Sequence, residues 1–189
     1  MKVVAVLGSP RTTGNSSAIA RRFMKAAAKQ GAQTRTFELN QLTCRGCQGC
    51  YACKKEFDKC VLTDDLAEAL SAVKDADIVV MASPIYFGDI TAQLKTFIDR
   101  SFSYLKPDYF TNPQPSRLSK KKLVFVLSQG LPDEKSFSDV YPRYSGFLEW
   151  MGFYDSRLIR ACGVGPKIDN AMLKHILKEA EKMAGELLA

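Results

Sequence analysis

Val3 to Leu7 is an unbroken apolar run closed by Gly8-Ser9-Pro10, and the pattern returns at Ile78-Val79-Val80-Met81. Short continuous apolar runs suit strands buried on both faces, which is the condition of a parallel sheet. Strands are therefore expected at Val3 to Leu7, Asp77 to Ala82 and Lys122 to Leu127, with an alternating strand from Gln33 to Leu39 and a short fifth from Arg157 to Ala161. Between them lie helical patterns: residues 16–30 ending at Gly31, a helix opened by Asp64 and Asp65 and running through Lys74, then 90–104 and 136–151. The last helix, 169–188, has Ala171, Leu173, Ile176, Leu177, Ala180, Met183 and Leu187 as its buried stripe. Strands that alternate with helices predict an α/β chain of three layers. Its five-stranded parallel sheet is covered on both faces and joined by right-handed crossovers.

The 189 residues suffice for one domain, expected over 1–189, with a cysteine-rich loop at about 43–62. Lys106 to Lys120 holds Pro107, Pro113 and Pro115 and reads as a long loop of the kind that often serves as a lid. No apolar run reaches the roughly 20 residues that cross a bilayer. The opening apolar run ends in Gly-Ser-Pro-Arg rather than a cleavage site, so a soluble cytoplasmic protein is expected, without a membrane partner. The net charge of +7 is uneven: residues 1–55 hold ten Lys or Arg and a single acid, Glu38. A basic half attracts an anionic cofactor or an acidic protein. No stacking platform or recognition-helix motif supports nucleic acid. For Arg21, Arg22, Lys25 and Lys29 a solvated helix face is the simpler reading.

The loop after the first strand reads GSPRTTGNSS, residues 8 to 17. A strand-to-helix turn offers free backbone N–H groups and the positive end of the helix dipole. Neither the triphosphate-loop spacing nor GxGxxG is present, because Asn15 stands where the former needs Lys. Ser9, Thr12, Thr13, Ser16, Ser17, Asn15 and Arg11 suit a terminal phosphate monoester. They would equally make a capped turn. The third strand leads into SPIYFGDITAQLKTFIDR, residues 83 to 100, where Ser83-Pro84 is expected to turn the chain. Tyr86 and Phe87 offer aromatic faces there, or pack in the core. The fourth strand ends in Ser128-Gln129-Gly130. In a doubly wound sheet these loops share the ligand-binding edge.

Together GSPRTTGNSS and SPIYFGDITAQLKTFIDR resemble the flavodoxin-like NADPH-dependent FMN reductases, over nearly the whole chain and most weakly after about residue 135. The resemblance implies a flavodoxin-like fold, strand order 2-1-3-4-5, and FMN as cofactor. Ser9, Arg11, Thr13, Gly14, Asn15, Ser16 and Ser17 would form its phosphate loop. Pro84, Ile85, Tyr86, Phe87 and Gly88 would line the isoalloxazine ring, and Ser128, Gln129 and Gly130 would approach the ring's polar edge. Many members have Thr where this sequence has Ser128, which keeps the hydroxyl.

Five of the six cysteines fall within CRGCQGCYACKKEFDKC, residues 44 to 60. Structural zinc takes two separated ligand pairs. Compact thiolate spacing favours an iron–sulfur cluster. The run resembles the iron–sulfur flavoprotein branch of the same family, which implies a 4Fe-4S cluster on Cys47, Cys50, Cys53 and Cys60. Cys44 is extra and a candidate substitute for Cys47. The alternative is a set of free, oxidisable thiols. Gly46 and Gly49 permit tight wrapping, and Lys54 and Lys55 would offset cluster charge. Cys162 reads as a small buried hydrophobe.

The expected activity is an oxidoreductase in which the cofactors carry the chemistry, so no general acid or base is assigned. Ferredoxin or NAD(P)H would supply electrons to a small-molecule acceptor. The competing readings are a flavin-only NAD(P)H reductase of FMN or quinones, and a non-enzymatic thiol redox sensor. Relatives imply a homodimer or homotetramer, in which the cluster of one subunit would face the flavin of its neighbour. His175 is expected on the surface.

Overall fold

A computed structural model describes residues 1–165 and 170–189. The strands are β1 (Lys2–Leu7), β2 (Gln33–Glu38), β3 (Ile78–Tyr86), β4 (Asp89–Ile90), β5 (Lys121–Ser128) and β6 (Phe153–Ala161). The helices are α1 (Asn15–Lys29), α2 (Leu66–Lys74), α3 (Ala92–Arg100), α4 (Val140–Trp150) and α5 (Asn170–Leu188). The sheet runs β2-β1-β3-β5-β6 with every neighbour parallel. That is the expected 2-1-3-4-5 order of the five long strands.

The period-two alternation of side chains sorts each central strand between two cores. Val3, Ala5 and Leu7 of β1, with Ile78, Val80 and Ala82 of β3, pack under α1 and α5. Val4, Val6, Val79 and Met81 face the other way, under α2, α3 and α4. The unbroken apolar runs thus record two faces buried at once. Strand β2 differs because it is the sheet edge, where Phe37 alone is buried. Ile176, Ala180 and Leu187 of α5 are buried and His175 is exposed as expected; the Ala171 side chain lies outside the described residues.

Two local expectations are corrected, at Ser83-Pro84 and at the end of the 90–104 helix. Ser83-Pro84 does not turn the chain, because β3 continues to Tyr86 and folds back through Phe87-Gly88 onto β4. The turn needs left-handed backbone at both positions, with φ of 49° at Phe87 and 82° at Gly88. Asp64 and Asp65 precede α2 as expected, Asp65 standing at its N-cap position, but neither side chain caps the helix. Their carboxylates reach back to the Arg45 and Thr43 N–H groups instead. The 90–104 helix ends at Arg100 and tightens into a 3-10 turn over Ser101–Tyr104.

Candidate functional site

The loops that follow β1, β3 and β5 lie at one edge because these strands are parallel neighbours. Two contacts lock the first two loops together. Gly8 donates its N–H to the Ala82 carbonyl, and the Thr91 hydroxyl donates to the Gly8 carbonyl at 2.8 Å while accepting from Leu94 N–H as the N-cap of α3. A Cβ on Gly8 would stand 2.7 Å from both Leu94 Cβ and Thr91 Oγ1. Only glycine fits that approach.

At the start of α1 the first intrahelical bond runs from Ala18 N–H to the Gly14 carbonyl, and no side chain caps the helix. Among the described residues Asn15, Ser16 and Ser17 therefore keep unspent N–H groups at the positive end of a 15-residue helix. The Ser16 hydroxyl is buried and has no hydrogen-bond partner among the described residues. Burial without a partner costs about 1–3 kcal/mol, so a buried hydroxyl of this kind calls for an acceptor. The remaining groups divide the work. Ser9 Oγ accepts from Arg11 N–H and lies 3.1 Å from the Arg11 carbonyl, which folds the loop. Ser17 Oγ reaches the same carbonyl at 3.5 Å. Arg11, Thr12 and Thr13 are exposed at the mouth. A Cβ on Gly14 would meet Ser9 Oγ at 2.7 Å. Asn15 departs from expectation, because its amide donates to the Val164 and Gly165 carbonyls and only its backbone N–H is left for a ligand.

Phe87 is fully exposed at the hairpin tip and Tyr86 is 45% exposed, so core packing is overturned for both. Pro84, Ile85 and Gly88 are half-buried beneath them. Ser128 and Gln129 are buried while Gly130 is exposed. The Gln129 amide is not free to reach outward: it donates to the Leu131 and Asp133 carbonyls at 3.0 Å, and its oxygen accepts from Arg160. Asp133, also at this edge, has its carboxyl held below the usual range by the Lys135 N–H and the Ser136 hydroxyl.

The cysteine loop packs against α3. Cys47, Cys50, Cys53 and Cys60 line one cavity of about 630 Å³ together with Arg100, Phe102, Tyr144 and Trp150. Cys44 does not line it; burial and then the nearby Asp64 push its thiol pKa up. Among the described residues no three of these side chains converge as metal ligands do. All six cysteines are unbridged.

Arg100 anchors the loop and is a residue the sequence alone did not single out. Its side chain is wholly buried and donates to Cys60 Sγ at 3.0 Å, to the Arg45 and Leu62 carbonyls, and to both oxygens of Asp64. Burial pushes the Asp64 carboxyl up, but Arg100 and the Arg45 N–H outweigh it and hold the group below its usual value. Lys54 is buried too, its ammonium donating to the Phe102 and Leu105 carbonyls, and burial pulls its pKa down. Arg117 donates to the Cys53 carbonyl at 3.1 Å. Three cations therefore brace a loop of thiols. The basic half is less free than its composition implies, because Arg21, Arg22 and Arg35 sit in exposed ion pairs with Glu38, Glu181 and Glu68.

Known proteins resemble this chain in sequence and in fold. The chain is similar to an iron-sulfur flavoprotein of Methanocaldococcus jannaschii, 42% identical over 101 residues that make up 53% of this chain and 52% of that one. It is similar to an iron-sulfur flavoprotein of Archaeoglobus fulgidus, 33% identical over 131 residues, 69% of this chain and 60% of that one. The chain spans about half the length of the curated relatives it matches first. In fold it is similar to the NAD(P)H:quinone oxidoreductase of Methanothermobacter marburgensis, with TM-score 0.77 at 18% identity, covering 99% of this chain and 96% of that one. An FMN-dependent NADH-azoreductase of Bacillus anthracis in complex with FMN aligns with TM-score 0.76 at 15% identity, covering 100% and 99%. The model of the NADPH-dependent FMN reductases matches residues 1–134, and the chain belongs to that family.

Proposed function

We propose that this chain is an FMN-dependent oxidoreductase that passes electrons from NAD(P)H or a ferredoxin to a small-molecule acceptor. The observation that carries the flavin is the Ser16 hydroxyl, buried and, among the described residues, without a partner, beside three N–H groups at the head of α1 that are likewise unspent there. A phosphate monoester satisfies all of them, and Arg11 adds a cation at the mouth. Bound there, FMN would supply a ring that accepts a hydride or single electrons. The protein's part is to hold it: Phe87 and Tyr86 give the ring exposed aromatic faces, and the backbone at Gly130 meets its polar edge. No side chain is assigned a proton-transfer role.

The same proposal places a 4Fe-4S cluster on Cys47, Cys50, Cys53 and Cys60, with Cys44 outside the set. Support comes from the shared cavity, the bracing cations and the name the relatives carry. Such a cluster would store one electron at a time beside the flavin. A flavin-only NAD(P)H:acceptor reductase is the second reading, favoured by the lack of convergence among the described thiols and by quinone oxidoreductase relatives. Self-association as a homodimer or homotetramer belongs to the first reading, since Phe110, Phe147 and Trp150 stand exposed at the cavity's rim. So does a reducing, cytoplasmic setting, in which unbridged thiols persist.

The test is protein purified without oxygen and assayed for flavin, iron and sulfide on one sample. Flavin with about four irons per chain, lost in Cys47→Ala, Cys50→Ala, Cys53→Ala and Cys60→Ala but kept in Cys44→Ala, is expected. Flavin without iron removes the cluster. Ser16→Ala separates the phosphate reading from the rest: FMN affinity falls about tenfold or more while riboflavin, which has no phosphate, binds unchanged.

A further inference from the structure

We infer that Arg160 is a positioning residue for the flavin ring, acting through the loop after β5; the inference rests on the flavin reading above. Arg160 lies on β6, one strand away from the proposed ring site, and is half-buried. Its guanidinium gathers three acceptors from that loop. Nε and Nη2 donate to Gln129 Oε1 at 3.2 and 2.6 Å, Nη1 donates to the Glu134 carbonyl at 2.8 Å, and Nη2 also reaches the Ser136 carbonyl. Gln129 then passes the constraint inward, because its amide nitrogen holds the Leu131 and Asp133 carbonyls. Gly163 N–H and Val164 N–H tie the Leu131 and Gln129 carbonyls to the chain beyond β6.

Every one of these bonds uses a loop carbonyl or the Gln129 side chain. The Gly130 and Leu131 N–H groups are left without an acceptor among the described residues. They are donors at the edge where the ring's polar atoms are expected. The loop then delivers Phe137, held at φ 62°, against the Gly88 backbone of the hairpin that carries Phe87. One fork-shaped cation thus sets the loop at the ring's edge and the support beneath its aromatic platform. Lys would keep the charge yet could not span acceptors in this planar fork.

The test titrates apo-protein with FMN and with riboflavin, following flavin fluorescence, for the unchanged chain, Arg160→Gln, Arg160→Lys and the control Arg157→Gln. Arg157 lies on the same strand in an exposed ion pair with Asp155. Both Arg160 variants are expected to weaken both ligands by about tenfold or more, because charge-assisted bonds to the loop are lost. At saturating FMN their bound-flavin absorbance is expected to differ from that of the unchanged chain, which general destabilisation would not produce. Arg157→Gln is expected to match the unchanged chain. Unaltered binding in Arg160→Gln, rescue by Arg160→Lys, or a loss confined to FMN each overturns the inference and leaves the flavin reading standing. If Arg160→Gln does not fold, Arg160→Lys carries the same outcomes. An unchanged chain that binds neither ligand overturns the flavin reading, and this inference with it.

Discussion

Asp64→Asn removes the carboxylate from the Arg100 guanidinium while keeping the side chain's shape. The Arg100 side chain is 0% exposed and Asp64 is 18% exposed, so the pair is shielded from solvent. Removing one partner of a buried pair costs about 3–5 kcal/mol, because the other charge is left uncompensated. Cys60 Sγ and the Arg45 and Leu62 carbonyls still accept from Arg100 in the variant, which favours the low end, about 3 kcal/mol. For a chain of this size that lowers the thermal midpoint by about 6–12 °C. The pH dependence has a definite sign. The Asp64 carboxyl is held below its usual value, so its contribution is full above the unfolded value of about 3.9 and is lost as pH falls through the folded value. Urea unfolding of both chains should show the full gap at neutral pH and a closing gap on acidification towards about pH 2. The variant should also label faster at Cys60 with a thiol reagent, because Asp64 anchors the Arg45 N–H within the cysteine loop. A gap below about 0.5 kcal/mol at neutral pH, the scale of an ordinary surface change, would refute the argument. So would a gap that does not move with pH.

Gly8→Ala forces a Cβ to within 2.7 Å of Leu94 and Thr91, and urea unfolding should show a loss of about 1–3 kcal/mol from overpacking. Phe87→Gly should stabilise the apo-protein by about 1 kcal/mol, because the left-handed backbone at φ 49° is strained for Phe and open to Gly. The same variant should bind FMN more weakly in a fluorescence titration, as the ring loses an exposed aromatic face. Thr91→Val removes the N-cap of α3 and the bond to the Gly8 carbonyl. A stability loss of about 1–2 kcal/mol is expected by thermal unfolding.

The parallel sheet was legible because burial on both faces leaves an unbroken apolar run, and β1, β3 and β5 each carry one. The loop proposed to hold phosphate stood out in the sequence as Ser, Thr, Asn and Gly between a strand and a helix. The run could not say which hydroxyl is unspent, because Ser9 and Ser17 fold the loop while Ser16 waits for a partner. Asn15 looked like a ligand donor and is bound to carbonyls about 150 residues away, a contact no local pattern carries. The β3–β4 hairpin was missed because Pro84 reads as a turn. In the fold Pro84 is the last residue of the parallel pairing with β5, opposite Ser128, and at the end of that ladder its missing N–H costs the sheet little.

The sequence by itself determined the layer architecture, the thiol-rich loop and the hydroxyl-rich turn before α1, since each is written in local periodicity or spacing, and the strand order came from family resemblance. The tertiary structure decided which groups are free and which are spent. Arg100 and Arg160 read as unremarkable basic residues along the chain. Folding buries the first under the cysteine loop and wraps the second in carbonyls of the β5 loop. The physical reason is that a hydrogen-bonding group's availability depends on who reaches it in space, and those partners lie tens of residues away in sequence.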